Sequence, residues 1–323
     1  MQKKLSTWQF ILKNLQENTG VIMLYVLESM GSSPGRQGFF MAVNTSGEMS
    51  GSVGGGVMEH KFVELAKNKL QQAVQEHSLH QQFHDKAAAK NQSGMICSGE
   101  QTIFIYTLQQ KDILHVASII ASLQQNKNGT IELTTAGISF SEASEDISFV
   151  YEKYGEEDFL YKEKTGYHNH LYIVGGGHCS LAFSQLMSTM DFYIYVYDER
   201  EGLNTMEANH FVHERMIVSS YAALRELIPS GKNNYVVIMT FGYRTDDTAL
   251  RSLLEKDFAY IGLLGSRKKI EKMFAELEAD GIQKDLVSRI YSPIGVPIKS
   301  QTPEEIAVSI AAEIIQVKNK HLP

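Results

Sequence analysis

The chain has 323 residues, enough for two domains that each bury a hydrophobic core. Apolar residues make up 43% and charged residues 21%, the composition of an ordinary globular protein. The formal net charge of −7, with no basic run, argues against a general nucleic-acid or anionic-membrane binder.

Cysteine usage and the hydrophobic runs indicate the cellular context. The two cysteines, Cys97 and Cys179, fall in different predicted domains, so a disulfide framework is not expected. No stretch reaches the roughly 20 apolar residues that span a bilayer, and the N-terminus lacks the apolar core of a signal peptide. We therefore expect a cytoplasmic protein without membrane or nucleic-acid partners.

The first half of the chain mixes helices with strands. Apolar periodicity and turn residues predict, in chain order, a helix over 7–17, a strand over 21–27, a hairpin of strands 39–43 and 48–53, a helix over 57–75, a strand over 102–108 and a helix over 111–125. This pattern predicts an α+β domain over 1–110. Residues 111–165 are charged and irregular towards their end, and we interpret them as a connector or β-ribbon.

Two loops of the first half are rich in small residues. One spans 31–38, and the other leads through three consecutive glycines into a helix with an acid in its first turn. Such loops expose backbone N–H groups, and a guanidinium binds phosphate or carboxylate through a planar fork. The loops predict a binding site made of Arg36, Gly54, Gly55, Gly56 and Glu59. The alternative is two ordinary surface loops.

Cys97 lies in a third loop of small residues, between Ile96 and Ser98. A thiol in such a loop can ligate a soft metal or hold sulfur as the thiolate. The alternative is a buried free cysteine, which is the commoner fate of this residue type.

A glycine turn organises the second half, which we place at 166–323. An apolar strand ends at Val174, Gly175-Gly176-Gly177 follows, a helical pattern begins at His178, and a second apolar strand ends on Asp198. Gly175 permits the tight turn, Gly177 permits close approach of a phosphate, and the helix N-terminus attracts an anion. An acid about 20 residues on binds the ribose hydroxyls in such folds. The candidate nucleotide-binding residues are Gly175, Gly177, His178 and Asp198, although the third glycine of the fingerprint is replaced by Ser180.

The rest of the second half alternates strand and helix. Strands are predicted over 236–240 and 260–264, helices over 246–255 and 268–278, and a proline-started capping box at Thr302–Glu305 begins a last helix. This order predicts a Rossmann-like, doubly wound parallel sheet. Arg267 follows a strand end and can contact phosphate. Arg200 can accept a ribose 2′-phosphate, but the neighbouring acids oppose this.

Several blocks together resemble the xanthine dehydrogenase accessory factor family (XdhC/CoxI). They are GSVGGGVMEH, the lone cysteine in CSGE, IVGGGH, YVYDER, YIGLLGSRKK and SPIGVPIKSQTPEEIAVSIAAEI. The resemblance covers both halves and leaves about residues 110–165 unmatched. It implies an N-terminal accessory domain followed by a Rossmann domain.

The resemblance also implies a function. Such proteins bind molybdenum cofactor, protect it while a cysteine desulfurase supplies the terminal sulfur, and deliver it to a xanthine dehydrogenase-type apoenzyme. Cys97 would then be a ligand of the cofactor molybdenum, and the glycine turns would hold the phosphate or nucleotide arm. The cofactor would lie between the two domains of a homodimeric carrier that has no turnover of its own.

The chain departs from the family pattern at three positions. Val57 stands where the family has a cysteine, Ser98 replaces a glycine after Cys97, and Phe241 replaces a histidine. These departures point to a divergent paralogue that serves another molybdenum hydroxylase, or no such enzyme.

The rival hypothesis is an NAD(P)-dependent oxidoreductase that uses Gly175, Gly177 and Asp198. It lacks a recognisable acid-base pair at the strand ends. A third hypothesis is a regulatory scaffold that binds the apoenzyme alone.

Overall fold

The computed structural model describes residues 2–72, 77–83, 99–143 and 147–320. The chain divides into two compact units, Met1–Gly166 and Tyr167–Pro323, called unit 1 and unit 2 below. Among the described helices, none is long and apolar enough to cross a membrane.

Unit 1 is an α+β fold. Its elements are α1 (Gln2–Gln16), β1 (Val21–Gly31), β2 (Phe40–Asn44), β3 (Met49–Gly51), α2 (Gly56–Gln71), β4 (Ser78–Phe83), β5 (Gly99–Thr107), α3 (Ile113–Gln124), β6 (Gly129–Thr134), β7 (Gly137–Ser141), β8 (Phe149–Lys153) and β9 (Phe159–Thr165). They form two antiparallel sheets, of order β3-β2-β1-β5-β4 and β7-β6-β9-β8.

The alternation of apolar residues along β1 gives unit 1 two cores. Met23 and Tyr25 face a core shared with α1, α3 and the four-stranded sheet. Ile22 and Leu24 point the other way and pack under α2. Residues 111–165, interpreted from the sequence as a connector or β-ribbon, supply α3 and the whole four-stranded sheet.

A buried carboxylate joins the two sheets of unit 1. Glu163 in β9 is 2% exposed and accepts hydrogen bonds from the hydroxyls of Tyr25 (2.5 Å) and Tyr161 (2.9 Å). Lys4 from α1 forms the ion pair with the same carboxylate. Burial first, and then the nearby carboxylate, raise the pKa of both tyrosines, so their hydroxyls remain donors.

Unit 2 is a doubly wound α/β fold. Its elements are β10 (Asn169–Val174), α4 (His178–Met187), β11 (Phe192–Asp198), α5 (Asn204–Glu207), β12 (Glu214–Ile217), α6 (Leu224–Leu227), β13 (Gly231–Ile238), α7 (Tyr243–Leu253), β14 (Phe258–Leu263), α8 (Arg267–Ala279), α9 (Lys284–Ser288), β15 (Ile290–Tyr291) and α10 (Pro303–Lys318). The parallel sheet has the order β12-β11-β10-β13-β14-β15, and a core lies on each face.

This strand order is that of a Rossmann fold, so the predicted fold class is confirmed. The order reverses between β10 and β13, and ligands of such sheets bind at the carboxyl ends on either side of that point. The predicted capping box is also confirmed, because the Thr302 hydroxyl accepts from the Glu305 amide and the Glu305 side chain bonds back.

We expect Glu163→Ala to destabilise unit 1 by about 3–5 kcal/mol, because it leaves two buried hydroxyls and an ammonium group without their acceptor. Glu132→Ala is the control, since its ion pair with Lys162 is longer, at 3.8 Å, and partly exposed. It should cost less than about 1 kcal/mol. Urea denaturation followed by fluorescence of Trp8 measures both losses, and equal losses would contradict the assigned role of Glu163.

Candidate functional site

The glycine turn of unit 2 holds the two central strands together. Gly175 follows β10 with φ at +111°, and a Cβ there would lie 2.4 Å from the carbonyl oxygen of Met239, just after β13. The Gly175 amide donates to the carbonyl of Tyr197, at the end of β11. Only glycine fits this position, because both the backbone angle and the contact exclude a side chain.

The next glycine is covered by a neighbouring segment. A Cβ on Gly176 would lie 2.4 Å from the Met206 side chain of α5, and the Thr205 hydroxyl donates to the Gly176 carbonyl. The Gly176 amide donates to Asp198 at 2.7 Å. The chain itself therefore fills the space around this glycine.

Gly177 differs from both, because no heavy atom lies within 4 Å of the position that its Cβ would occupy. It is the N-cap of α4, and His178 follows at an exposed position. The open surface of the turn thus lies at the start of α4, where the unpaired N–H groups of a helix are found. Binding of a ligand by Gly175, Gly177 and His178 stays a prediction.

Asp198, predicted to bind a ribose, is fully buried, and both of its oxygens are occupied. Oδ1 accepts from the Arg200 amide (2.8 Å) and Nε (2.9 Å), and Oδ2 accepts from the Gly176 amide (2.7 Å) and Arg200 Nη2 (2.8 Å). Burial alone would raise the pKa of Asp198, but these hydrogen bonds outweigh it and lower the pKa. The carboxylate is therefore an ionised internal partner of the turn.

Arg200 lies against an exposed aromatic ring at the same edge of the sheet. Its guanidinium carbon is 4.6 Å from the ring centre of Phe241, which is 63% exposed. Phe241 belongs to the loop between β13 and α7, at the point where the strand order reverses. Arg200 and Phe241 thus border the glycine turn.

A buried network fixes the loop that carries Phe241. Asp246, fully buried in α7, accepts from the Thr240 amide (2.9 Å) and hydroxyl (2.6 Å). Lys269 of α8 completes it through an ion pair with Asp246. Arg267, a predicted phosphate contact, is exposed at the start of the same helix.

The first turn of α4 contains two further polar side chains. Ser180 is 1% exposed, and its hydroxyl has no hydrogen-bond partner within the described residues. Cys179 is half-buried, and burial raises the pKa of its thiol. A thiol in that state is a poor nucleophile and a poor metal ligand at neutral pH.

In unit 1 an acid also holds the glycine turn. Glu59 Oε2 accepts from the Ser52 hydroxyl (2.6 Å) and from the amides of Val53 and Gly55 (both 3.0 Å). The Gly54 amide donates to the Ser52 hydroxyl at 3.1 Å. These amides are therefore committed within the chain, and binding of a ligand by Gly54, Gly55, Gly56 and Glu59 stays a prediction.

The two predicted loops of unit 1 are brought together. A Cβ on Gly35 would lie 2.1 Å from the Val53 carbonyl oxygen, and one on Gly54 would lie 2.5 Å from the Gly35 amide nitrogen. Arg36 extends from this junction, is exposed, and donates to the Gly31 carbonyl at 3.1 Å. The loops therefore form one surface with a guanidinium at its rim.

A buried chain of hydrogen bonds supports this surface. The sequence does not predict it. The Ser33 hydroxyl donates to Gln101 (2.8 Å), whose amide nitrogen donates to Gln82 (2.6 Å). Gln82 is 2% exposed, and its own amide nitrogen has no partner within the described residues. The only signal in the sequence is polar residues in strands, and these are too common to indicate a site.

Cys97, the predicted molybdenum ligand, lies outside the described residues. Gly99, two positions later, packs against the first loop, since a Cβ there would lie 2.6 Å from the Ser33 amide nitrogen. No group of three or more His, Cys, Asp or Glu side chains that could hold a metal ion occurs in the part of the chain that the structure describes.

Comparison with known families identifies the chain. A model described as the XdhC and CoxI family matches residues 15–81, and one described as the XdhC Rossmann domain matches residues 171–314. The matches fall in both units and together cover more than half of the chain. The chain belongs to the XdhC and CoxI family.

Two curated relatives are similar to this XdhC-family chain. The uncharacterized protein YqeB of Escherichia coli is 27% identical over 310 residues, which are 94% of this chain and 44% of YqeB. A probable xanthine dehydrogenase subunit of Bacillus subtilis is 28% identical over 151 residues, which are 46% of this chain and 43% of that protein. The matches span less than half the length of each relative.

A solved structure shares the fold. A crystal structure described as a xanthine dehydrogenase from Bacillus halodurans has a TM-score of 0.71 and 24% sequence identity to this chain. The similarity covers 98% of this chain and 96% of the other. At this identity the match shows a common fold and leaves the chemistry to be argued from the residues.

We expect Gly175→Ala to destabilise unit 2 by more than about 2 kcal/mol, because φ is positive and the added Cβ meets backbone atoms. Gly177→Ala, two residues away, should change stability by less than about 1 kcal/mol, since its Cβ would meet open space. Urea denaturation followed by circular dichroism measures both. A Gly177→Ala variant that loses as much stability as Gly175→Ala would show that side chains are excluded throughout the turn.

We also expect Asp198 to contribute to stability in a pH-dependent way. Its folded-state pKa is below the unfolded value of about 3.9, so its contribution is present above about pH 4 and is lost as pH falls through the folded-state pKa. Asp198→Asn should lower stability at pH 7 and flatten its fall below about pH 4. Asp257→Asn, at an 84% exposed side chain, is the control. Urea midpoints between about pH 2 and 7 measure the effect. The prediction is wrong if the stability of Asp198→Asn falls below about pH 4 as steeply as that of the unaltered chain.

Proposed function

We propose that the chain is an accessory factor for a xanthine dehydrogenase-type molybdenum hydroxylase. It binds molybdenum cofactor, protects it during sulfuration, and delivers it to the apoenzyme without turnover of its own. The observation that carries this proposal is the match of both units to the XdhC models. The Bacillus subtilis relative is named as a probable component of a xanthine dehydrogenase, which supports the same functional context.

The donor groups of unit 1 suit the acceptor-rich parts of this cofactor. Its phosphate arm and pterin carbonyl need hydrogen-bond donors, and the amides of Val53, Gly54 and Gly55 are already committed. Two side-chain donors remain among the described residues of these loops and strands: the exposed guanidinium of Arg36, and the buried amide nitrogen of Gln82, which has no partner there. These two side chains would hold the cofactor, with Arg36 on the phosphate.

Cys97 is the proposed contact for the metal. When bound, the cofactor supplies a soft, sulfur-rich molybdenum centre, and a thiolate is a soft ligand. Cys179 is not suited to this role, because burial raises the pKa of its thiol. The proposal includes a cysteine desulfurase as sulfur donor, a homodimeric state and a cytoplasmic location.

The proposal is tested by cofactor retention. The full chain is mixed with molybdenum cofactor, desalted, and analysed for pterin fluorescence and for molybdenum by elemental analysis. We expect both signals to remain with the protein in equal molar amounts. A protein that retains neither the sulfurated nor the unsulfurated cofactor is not a carrier.

We expect Cys97→Ala to reduce retention of molybdenum at least about tenfold, because it removes the proposed soft ligand. Cys179→Ala is the matched control, since it removes the half-buried thiol of unit 2 and should retain the cofactor as the unaltered chain does. The same desalting assay measures both. Equal retention by the two variants would remove Cys97 from the site.

An NAD(P)-dependent oxidoreductase is the second candidate, favoured by the glycine turn at the switch point of the sheet. Both oxygens of Asp198 already accept hydrogen bonds from the chain, which disfavours the usual binding of the NAD ribose by this residue. Titration with NADH and NADPH, with a hydride acceptor present, separates the candidates, because only an oxidoreductase consumes the nucleotide.

A further inference from the structure

We propose that unit 2 binds an adenine nucleotide that carries a phosphate on its ribose, and that Arg200 is the specificity-determining residue. This ligand class lies beyond the accessory role, and neither the glycine fingerprint nor the family match specifies it. The site lies at the carboxyl edge of the parallel sheet, between the ends of β10, β11 and β13.

The acid that would bind a free ribose diol is not available. Asp198 is fully buried, and each of its oxygens already accepts two hydrogen bonds from the chain. A diol needs lone pairs of this carboxylate to accept its two hydroxyl protons. A ligand with unmodified ribose would have to displace Arg200 from a buried, charge-assisted pair.

Arg200 itself is placed to receive a phosphate. Its bonds to Asp198 use Nε and Nη2 and leave Nη1, and its side chain is 35% exposed. Phe241 supports the guanidinium plane at 4.6 Å. An arginine whose orientation is fixed in this way binds phosphate with a smaller loss of conformational entropy.

The acids beside Arg200 oppose phosphate binding by Arg200 less than the sequence suggested. The Glu199 carboxylate accepts from the Tyr221 amide at 2.6 Å, so it is held by the segment before α6. Glu201 is exposed and therefore screened by solvent. The Asp198 charge is balanced by Arg200 itself. A ligand phosphate can accept from the Nη1 group that these contacts leave.

The turn offers a place for the second phosphate of such a nucleotide. The position beside Gly177 is open, and α4 runs for 10 residues from that point. Ser180, in the first turn, is 1% exposed and its hydroxyl has no partner within the described residues. Side chains of a helix tilt towards its N-terminus, and Ser180 lies three residues after Gly177. A buried polar group without a partner is consistent with a ligand that completes it.

The loop that carries Phe241 is held in place before any ligand arrives. Thr240 is bonded to Asp246, and Lys269 pairs with the same carboxylate. Phe241 is 63% exposed and presents an aromatic ring beside the Arg200 guanidinium. The adenine ring is the part of the ligand that can stack on Phe241 and Arg200.

The test is calorimetric titration of the full chain with four probes: adenosine 2′,5′-bisphosphate, adenosine 3′,5′-bisphosphate, AMP and inorganic phosphate. We expect one of the bisphosphates to bind at least about tenfold more tightly than AMP, as a charged hydrogen-bond pair predicts. The preferred bisphosphate distinguishes a 2′-phosphate ligand from a 3′-phosphate ligand. Equal binding of AMP, equal binding of inorganic phosphate, or binding of no probe would overturn the proposal.

Substitution of Arg200 should change the affinities for the bisphosphate and for AMP in opposite directions. Arg200→Ala should lose at least about tenfold in bisphosphate affinity and gain in AMP affinity, because it releases Asp198 for the ribose diol. Arg200→Lys keeps the charge without the planar fork and should lose most of the preference. Arg225→Ala, which removes an exposed arginine paired with Glu255, is the matched control and should change neither affinity.

Phe241→Ala keeps the test decisive if Arg200→Ala does not fold. It removes an exposed ring, so the fold should be retained, while affinity for the preferred bisphosphate should fall about threefold to tenfold. Circular dichroism checks the fold of each variant. Unchanged bisphosphate affinity in folded Arg200→Lys and Phe241→Ala variants would remove both residues from the site.

Discussion

In each unit, a carboxylate of the chain itself accepts the amide of a glycine turn. Glu59 holds the amides of Val53 and Gly55, and Asp198 holds the amide of Gly176. A backbone N–H that leaves water needs an acceptor, and glycine turns expose several such groups at once. The internal acids meet this need, so the turns keep their shape without an anionic ligand. The two binding proposals therefore depend on an arginine at the rim of each turn, Arg36 in unit 1 and Arg200 in unit 2.

Much of the fold follows from local sequence signals. The Thr302 capping box, the three glycines after β10 and the hairpin at Asn44–Gly47 each act over a few residues. Each of these signals depends only on interactions among neighbouring residues, so the sequence alone predicts them. The alternation of strand and helix in unit 2 then leaves few topologies, because crossovers between parallel strands are right-handed. The Rossmann order was predictable for this reason.

The partners of individual side chains were not predictable in the same way. The sequence places Glu59 in a predicted binding site but does not show that one of its oxygens accepts three bonds from its own loop. Asp246 and Lys269 pair across 23 positions of the chain, and Gln82 and Gln101 across 19. Such contacts depend on strand register and helix packing, which form only when the whole unit folds. The antiparallel sheet within residues 111–165 has the same origin, since its order brings β6 beside β9.

Two of the three departures from the family pattern are exposed side chains, and this bears on function. Val57, in place of a customary cysteine, is 65% exposed, and Phe241, in place of a customary histidine, is 63% exposed. Apolar side chains at these positions cannot ligate a metal, and packing of the core does not explain them. Val57 lies in the first turn of the helix after one glycine turn, and Phe241 borders the other, where such folds present their ligand-binding surfaces. The scaffold of the family is retained, and both of these exposed positions carry apolar side chains. Since function depends on such surfaces and not on the scaffold, the difference between this chain and its relatives should appear in what the two turns bind.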